Sequence, residues 1–418
     1  MKSHVGGVMK LFDFRKKSSG QSAAHARSDA IQSLEVLKRA NDLYLEGGES
    51  IERGLAMFDA EWGNIQAGQA WAAAHAAGDN EAAQLCSAYA ITGAHCLALR
   101  MPPHDHIRWL EAALAAARRL KKREEESAHL DGLGIAYDRL GESRQAIEYY
   151  SQHLTIAVET GDQRAQGAAL GNLGRAFASL GEYRRAIEFY RQRLAVAHEV
   201  GDRRGQCVAL GDLGNSHFVL GEYRDAIESY QEQLAIGREV GDRRFEANAL
   251  GGLGYSYSNT GESARAVDLY QQQLAITRQI GDRHNEGIAL GNLGTAYGMA
   301  GDTRHAIEFF QHALVIARET GDRRSECNGL SNLGLSKVAL GETSHAIDLY
   351  KQALVIAREI GDRRVEGQTL WSMSLALDRL GQRSQAINCA QTALNIFEQM
   401  GHPHVGIVRN RLQQWNRQ

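Results

Sequence analysis

The sequence has little proline, little cysteine and no long apolar run. Only 3 of its 418 residues are Pro, which excludes collagen-like and proline-rich linker architectures. The 5 Cys residues are scattered and match no metal-binding or disulfide spacing, so we expect them to be reduced. No stretch approaches the roughly 18 apolar residues of a membrane span, and the basic N-terminus has too short an apolar run for a signal peptide. We therefore expect a cytoplasmic protein.

A strong excess of one charge and the common catalytic motifs are also missing. The 47 Lys and Arg residues oppose 50 Asp and Glu residues, so the composition predicts no nucleic-acid partner. The sequence contains no P-loop, His-Glu-x-x-His or Gly-x-Ser-x-Gly motif. The pairs His104/His106 and His402/His404 lack further ligands at helical spacing. We predict no catalytic residue, no metal and no cofactor, and hence a binding or scaffold protein.

Glycine, by contrast, is abundant and periodic. It accounts for 44 of the 418 residues, above its usual share of roughly 7%. From residue 121 the chain aligns without a gap in seven rows of 40 residues, and we number the positions of each row 1 to 40. Position 1 is Gly161, Gly201, Gly241, Gly281, Gly321 and Gly361, and position 21 is Gly141, Gly181, Gly221, Gly261, Gly301, Gly341 and Gly381. A fixed period of this length indicates a solenoid.

Each row has the pattern of two helices. In the second row Leu170, Leu173 and Phe177 form one helical stripe, and a second stripe follows position 21. Gly at positions 1 and 21 predicts a left-handed helix end, and the acid after it favours the next helix start. We predict N-caps at the residues that follow several of these acids, namely Ser143, Ser263, Thr303 and Thr343. No segment has strand periodicity, so the predicted class is all-α.

The repeats resemble the tetratricopeptide repeat (TPR). Its pattern Leu-Gly-x-x-Tyr, followed by Ala and an aromatic residue, stands at Leu133–Tyr137, Ala146 and Tyr150. The period is 40 rather than the usual 34, and the Pro that often closes the repeat is missing. Repeats of this length look most like the Leu-Gly-Asn-rich adaptors of spindle orientation and bacterial TPR signalling proteins, and more distantly like kinesin light chains. The resemblance implies a right-handed superhelical solenoid of antiparallel helix pairs with helical caps at both ends.

Four regions follow from these patterns. We predict a disordered basic leader over residues 1–28, an atypical helical region with a degenerate repeat over 29–120, seven repeats over 121–400 and a capping helix over 401–418. In the capping helix we expect burial of Ile407, Val408, Leu412 and Trp415. The predicted helical segments of the second region are Leu34–Leu45, Ile51–Ala77, Ala82–Leu99 and His106–Leu120. This region resembles the helices that precede TPR arrays in bacterial signal-transduction ATPases. Their nucleotide-binding module has no counterpart in this sequence, so the ATPase role does not carry over.

The candidate ligand surface is the face of the first helices that varies between rows. In TPR proteins the first helices line a concave groove, and positions 8, 12 and 15 lie largely away from the apolar stripe. The candidate groove residues are Asn172, Arg175, Asp212, Asn215, Asn248, Tyr255, Asn292, Thr295, Asn328 and Asn332. In peptide-binding members of the family an Asn here brackets a peptide bond, which the resemblance transfers to Asn172, Asn292 and Asn332. Hydrogen bonding to a neighbouring helix, or neutral drift of the surface, are the alternatives.

Two further patterns leave alternatives open. Gly at position 11 (Gly171, Gly211, Gly251 and Gly291) leaves room either for a ligand backbone or for a packed neighbour. The Arg residues at positions 3 and 4 pair with Asp at position 2 or with Glu at position 39 of the preceding row, or they form a ladder for the carboxylates of an acidic peptide. The predicted function is a scaffold or adaptor that binds a protein or peptide segment, extended or helical. A sensor whose superhelix responds to a small peptide or ligand is the alternative, and no oligomeric state is predicted.

Overall fold

A computed structural model describes residues 5–417, with side chains from residue 24 onward. The described residues form twenty helices and no strand, which confirms the all-α class. The chain divides between Gly205 and Gln206 into two compact units.

The first unit is a series of helices that pack consecutively. Its helices are α1 (Val5–Glu46), α2 (Ser50–His75), α3 (Asn80–Thr92), α4 (Ala94–Arg100), α5 (Pro103–Leu120), α6 (Arg123–Arg139), α7 (Ser143–Thr160), α8 (Gln163–Ser179) and α9 (Tyr183–Glu199). The leader predicted as disordered differs from this structure, because residues 5–28 belong to α1. The leader contains no Pro that would stop the helix, and residues 1–4 lie outside the described residues.

The region before the repeats packs around its own apolar core. Phe58, Ile65 and Tyr89 are fully buried there. The single helix predicted over Ala82–Leu99 is instead two helices, α3 and α4. They meet at Gly93, where a Cβ atom would lie 2.7 Å from Cδ1 of Leu37 on α1, so a side chain at position 93 would displace Leu37.

No single helix within residues 5–417 is both long and apolar enough to cross a membrane. In that range only α3 and α4 together, bent by 69° at their junction, have the length and composition for it.

The second unit is a stack of helix pairs. Its helices are α10 (Arg203–Val219), α11 (Tyr223–Glu239), α12 (Arg243–Asn259), α13 (Ser263–Gln279), α14 (Arg283–Met299), α15 (Thr303–Thr320), α16 (Arg323–Ala339), α17 (Thr343–Glu359), α18 (Arg363–Arg379), α19 (Arg383–Gln399) and α20 (Val405–Trp415). The start of α10 lies on the boundary between the units. Short turns join successive helices, which makes neighbours antiparallel.

The closing helix α20 buries one face on α19. Val408, Leu412 and Trp415 are buried as predicted, and the Trp415 indole donates to Oδ2 of Asp378 at 3.0 Å. Ile407 is 56% exposed, so its expected burial is wrong. Adjacent helical residues are about 100° apart, and the burial of Val408 turns Ile407 towards solvent.

The turns between helices confirm the predicted role of glycine and correct the N-caps. Gly161 and Gly321 end their helices with left-handed φ values of 68° and 69°. At position 2 the capping residue is the acid itself. For example, Asp322 Oδ1 accepts from the Ser325 amide at 3.0 Å. The predicted N-caps Ser143, Ser263, Thr303 and Thr343 are instead the first residues of their helices. The acid before each stands at the N-cap position, and of these four acids only Asp302 accepts a capping hydrogen bond.

Within most repeats a glycine at position 14 contacts the aromatic ring at position 30. A Cβ atom added to Gly334 would lie 2.5 Å from Cε1 of Tyr350, closer than real side chains approach. The same contact joins five other pairs: Gly134–Tyr150, Gly174–Tyr190, Gly214–Tyr230, Gly254–Tyr270 and Gly294–Phe310. These glycines therefore let the two helices of a repeat pack directly.

A buried carboxylate at position 6 joins successive repeats. Glu286 is 6% exposed and accepts from Arg278 Nε at 2.9 Å and Arg283 Nη1 at 2.7 Å. Arg283 also pairs with Glu319 at the end of the next helix. The other glutamates of this kind are Glu126, Glu246, Glu326 and Glu366. Pairing of the position-3 arginines within the chain is confirmed, but with these glutamates rather than with the expected partners.

Replacing Gly334 with Ala tests the contact with Tyr350. We expect a loss of about 1–2 kcal/mol, because overpacking outweighs the gain in helix propensity. The matched control is Gly291→Ala, where an added Cβ meets nothing within 4 Å, and which we expect to gain up to about 1 kcal/mol. Urea unfolding followed by circular dichroism measures both. Equal stabilisation by the two substitutions would show that the ring does not select glycine.

Acid should remove the contribution of Glu286. Burial raises the pKa of this carboxyl, but the Arg278 and Arg283 hydrogen bonds outweigh burial and leave the pKa lowered. A lowered pKa stabilises the fold above the unfolded value of 4.5, and this stability disappears as the pH falls through the folded pKa. Glu286→Gln should cost about 1 kcal/mol at pH 7, since both arginines are half exposed, and nearly nothing at the acid end. The exposed Glu319→Gln is the control, and a pH-independent cost at Glu286 would contradict the prediction.

Candidate functional site

A cavity of about 600 Å³ lies along α10 to α14 of the second unit, and we call it the central cavity. First helices α10, α12 and α14 provide most of its wall, and second helices α11 and α13 provide the rest. The lining residues are Val208, Gly211, Asp212, Asn215, Phe218, Tyr230, Gln233, Phe245, Asn248, Gly251, Gly252, Tyr255, Gln273, Ile288 and Asn292.

Glycines determine how closely side chains pack at the cavity. A Cβ on Gly211 would lie 2.6 Å from Nε2 of Gln233, and one on Gly251 would lie 2.7 Å from Nε2 of Gln273. Both glutamines stand at position 33 of the same row as the glycine. Packing of a neighbour therefore explains these two position-11 glycines. Gly171 likewise lies against Arg193, whereas Gly291 has nothing within 4 Å of an added Cβ.

Five of the ten candidate groove residues line the central cavity. They are Asp212, Asn215, Asn248, Tyr255 and Asn292. Asn248 is exposed, and Asn215 Oδ1 accepts from the Tyr230 hydroxyl at 2.7 Å. Asn292 is 9% exposed, and its Nδ2 has no hydrogen-bond partner among the described residues.

The remaining candidates lie elsewhere. Asn172 donates to Asp131 on α6 at 2.8 Å and accepts from Arg175. For this asparagine the alternative of hydrogen bonding to a neighbouring helix therefore applies. Thr295 donates to the Gly291 carbonyl one turn earlier at 3.0 Å. Asn328 and Asn332 line a second cavity of about 260 Å³ with Leu335, Trp371 and His404, among others.

Sequence reasoning missed the residues that the second helices contribute. Gln233 and Gln273 are 4% exposed and line the cavity, and Phe218 and Phe245 form apolar walls. One signal was available: the third and fourth rows alone combine Gln at position 33 with Gly at position 11.

The cavity is nearly free of charge. Asp212 is the one charged residue among those that line it, and it makes other interactions in the chain. Burial raises the pKa of Tyr230 and Tyr255, so both phenols are neutral at pH 7. The arginines at position 3 do not form an open ladder, since Arg243 and Arg323, for example, pair with Glu246 and Glu326.

One group of metal-type ligands also comes together beside this region. Ligand atoms of His217, Glu222 and Asp225 lie within 4.8 Å of one another. A hydrogen bond of 2.7 Å already joins His217 Nδ1 to Glu222 Oε2. The absence of a metal stays a prediction.

Comparison with known proteins identifies the repeats. Two sequence models, both described as tetratricopeptide repeat, match this chain. One matches residues 205–279, 246–319 and 325–399, and the other matches 130–164 and 169–204. Together they cover more than half of the chain. No curated protein matches the sequence.

Solved structures share the fold at low sequence identity. The apo quorum sensor NprR from B. thuringiensis has a TM-score of 0.59 and 15% identity over 90% of this chain and 99% of its own. Apo RapI has a TM-score of 0.56 and 14% identity over 66% and 99%. A signal-transduction ATPase with a tetratricopeptide repeat sensor, from Pyrococcus horikoshii, has a TM-score of 0.53 and 15% identity. The match covers 79% of this chain and 53% of that protein, so the chain spans about half of its length.

Alanine substitutions should separate the two kinds of asparagine. Asn172→Ala should lower the free energy of unfolding by about 1–2 kcal/mol, because it leaves Asp131 and Arg175 without their shared amide. Asn248→Ala should change it by less than about 0.5 kcal/mol, as at other exposed sites. Chemical denaturation of both variants measures the difference. If Asn172→Ala left the free energy of unfolding unchanged, the structural role of Asn172 would be contradicted, and this residue would again be a candidate for ligand binding.

Proposed function

The chain belongs to the tetratricopeptide repeat family, and from this we propose that it is a non-catalytic scaffold or adaptor that binds a peptide segment of a partner in the central cavity. The single observation behind the proposal is the convergence on that cavity of five residues from the three variable first-helix positions. The cytoplasmic location expected from the sequence belongs to the same proposal.

The chemistry of the wall favours an extended segment over a helical one. Asn215, Asn248 and Asn292 provide side-chain amides, which both donate and accept hydrogen bonds. An extended backbone offers its own N–H and C=O groups to such amides, whereas a helix bonds nearly all of these groups internally. Apolar residues such as Phe218, Phe245 and Ile288 provide contact area for the ligand's side chains.

A sensor of a free peptide or small ligand is the second candidate. The cavity volume of about 600 Å³ falls within the range of sites that hold small organic ligands, roughly 300–1,000 Å³. The fold shared with NprR, itself described as a quorum sensor, supports keeping this candidate. The two candidates differ in what occupies the cavity: a segment of a large protein, or a molecule that binds alone.

A photo-crosslinking amino acid in place of Tyr255 tests both candidates. Tyr255 is 45% exposed at the cavity wall, so the substituted side chain should reach a bound ligand without disturbing the core. Irradiation in an extract of the source organism should link the full chain to a partner protein, or to a short peptide if the protein is a sensor. Mass spectrometry of the adduct identifies which.

The matched control is the same substitution at Val355. This residue is 57% exposed on second helix α17, outside the central cavity. We expect the adduct from position 255 to be absent at position 355, and Asn248→Ala combined with the position-255 probe to reduce its yield. Equal adducts at both positions, or none at position 255, would contradict the proposed site.

A further inference from the structure

The walls of the central cavity present aromatic rings at right angles. The rings of Phe218 and Tyr255 have centroids 5.8 Å apart and an interplanar angle of 78°. Tyr255 in turn meets Tyr270 edge-on, at 6.1 Å and 89°. Phe245 and Tyr230 also line the cavity. The faces of such rings carry negative partial charge and attract cations.

Two amide oxygens at the cavity have no donor. Gln233 donates through Nε2 to the Cys207 carbonyl at 3.0 Å, which distinguishes its amide nitrogen from its oxygen and leaves Oε1 as the atom without a partner. Gln273 Oε1 likewise has no partner among the described residues. Both side chains are more than nine-tenths buried. A buried acceptor without a donor costs roughly 1–3 kcal/mol, so a ligand that supplies N–H groups would recover this energy.

The charge of the lining residues also favours a cationic ligand. These 15 residues include no Lys, Arg or His, and Asp212 is the one charged member. Among the described residues, a carboxylate entering the cavity would find one unpaired donor, Nδ2 of Asn292, but two unpaired oxygens and several ring faces that disfavour it. A quaternary ammonium would bind to the ring faces but has no N–H group to donate to the glutamine oxygens. A primary ammonium or a guanidinium can bind to the ring faces and also donate N–H groups to the glutamine oxygens.

We propose that the central cavity binds a Lys or Arg side chain of an extended peptide segment, which packs against the aromatic wall formed by Phe218 and Tyr255 and is hydrogen-bonded to Gln233 and Gln273. This inference rests on the proposed function and names the chemistry of its ligand. The long apolar stem of either residue packs along the rings, and small rotations of the buried glutamines bring their oxygens to the charged head. The acidic ligand considered from the sequence is thereby replaced by a basic one.

Selection from a random displayed peptide library on the full chain tests the proposal. We expect the selected peptides to share a Lys or Arg at one position. Synthetic peptides with acetyl-lysine or citrulline at that position should bind about tenfold more weakly or worse by fluorescence anisotropy, the size of one desolvated cation–π contact.

Variants at position 255 separate the effect of the aromatic ring from the effect of its volume. Tyr255→Phe should keep the affinity within about twofold, whereas Tyr255→Leu, which retains apolar volume, should lose about fivefold or more. Gln273→Leu should weaken binding of the Lys peptide more than that of its acetyl-lysine counterpart. Thr295→Ala is the control, because Thr295 stands at the same repeat position as Tyr255 but outside the cavity lining.

The outcomes distinguish this inference from the proposed function. Selected peptides that need Tyr255 but share an acidic or uncharged anchor would overturn the basic-ligand proposal and leave peptide binding in place. Selected peptides whose affinity is unchanged by Tyr255→Leu and Gln273→Leu would overturn both, and so would a failure to select any peptide.

Discussion

The contact between a small residue at position 14 and a large ring at position 30 is the constraint on which the repeat architecture depends. It sets the distance between the two helices of a repeat, and that distance then determines which side chains the next repeat can contact. Six repeats use Gly with Tyr or Phe. The seventh has Ser374 opposite Ala390, so the larger residue on one helix accompanies a smaller one on the other. The pair changes together because the space between the helices is shared.

A second constraint is that a buried carboxylate needs its arginines. Where position 6 is Glu286 or Glu366, an arginine stands on the preceding helix and another three residues earlier on its own helix. In the second row position 6 is Gln166, and Val158 and Gln163 occupy the two arginine places. An unpaired buried charge is strongly destabilising, which accounts for the joint change. The same pairing occupies arginines that the sequence left open as a ladder for an acidic peptide, and amides and aromatic rings dominate the central cavity.

Sequence reasoning predicted the candidate site unevenly. Position 15 varies among the rows, and the variation correctly indicated an accessible surface at Tyr255, but the same position in the second row is Arg175, which pairs with Asn172. Asn172 and Asn292 both stand at position 12, but their environments differ. Asn172 donates to Asp131, whereas the Asn292 amide nitrogen has no partner among the described residues. Helix periodicity gives the direction of a side chain from its own axis. It does not specify the residue that the neighbouring helix places opposite it.

The sequence by itself determined the helices, their turns and their period, because left-handed glycines, capping acids and apolar stripes are local signals that act within one or two turns of helix. Gly161 and Asp162 end one helix and start the next whatever surrounds them. Only the tertiary structure decided that Gln233 and Gln273 join Phe218 and Tyr255 around one cavity. These residues come from four helices spread over two rows of the sequence. Their proximity results from how the helices stack, and stacking depends on the combined shape of many side chains rather than on any single interval in the chain.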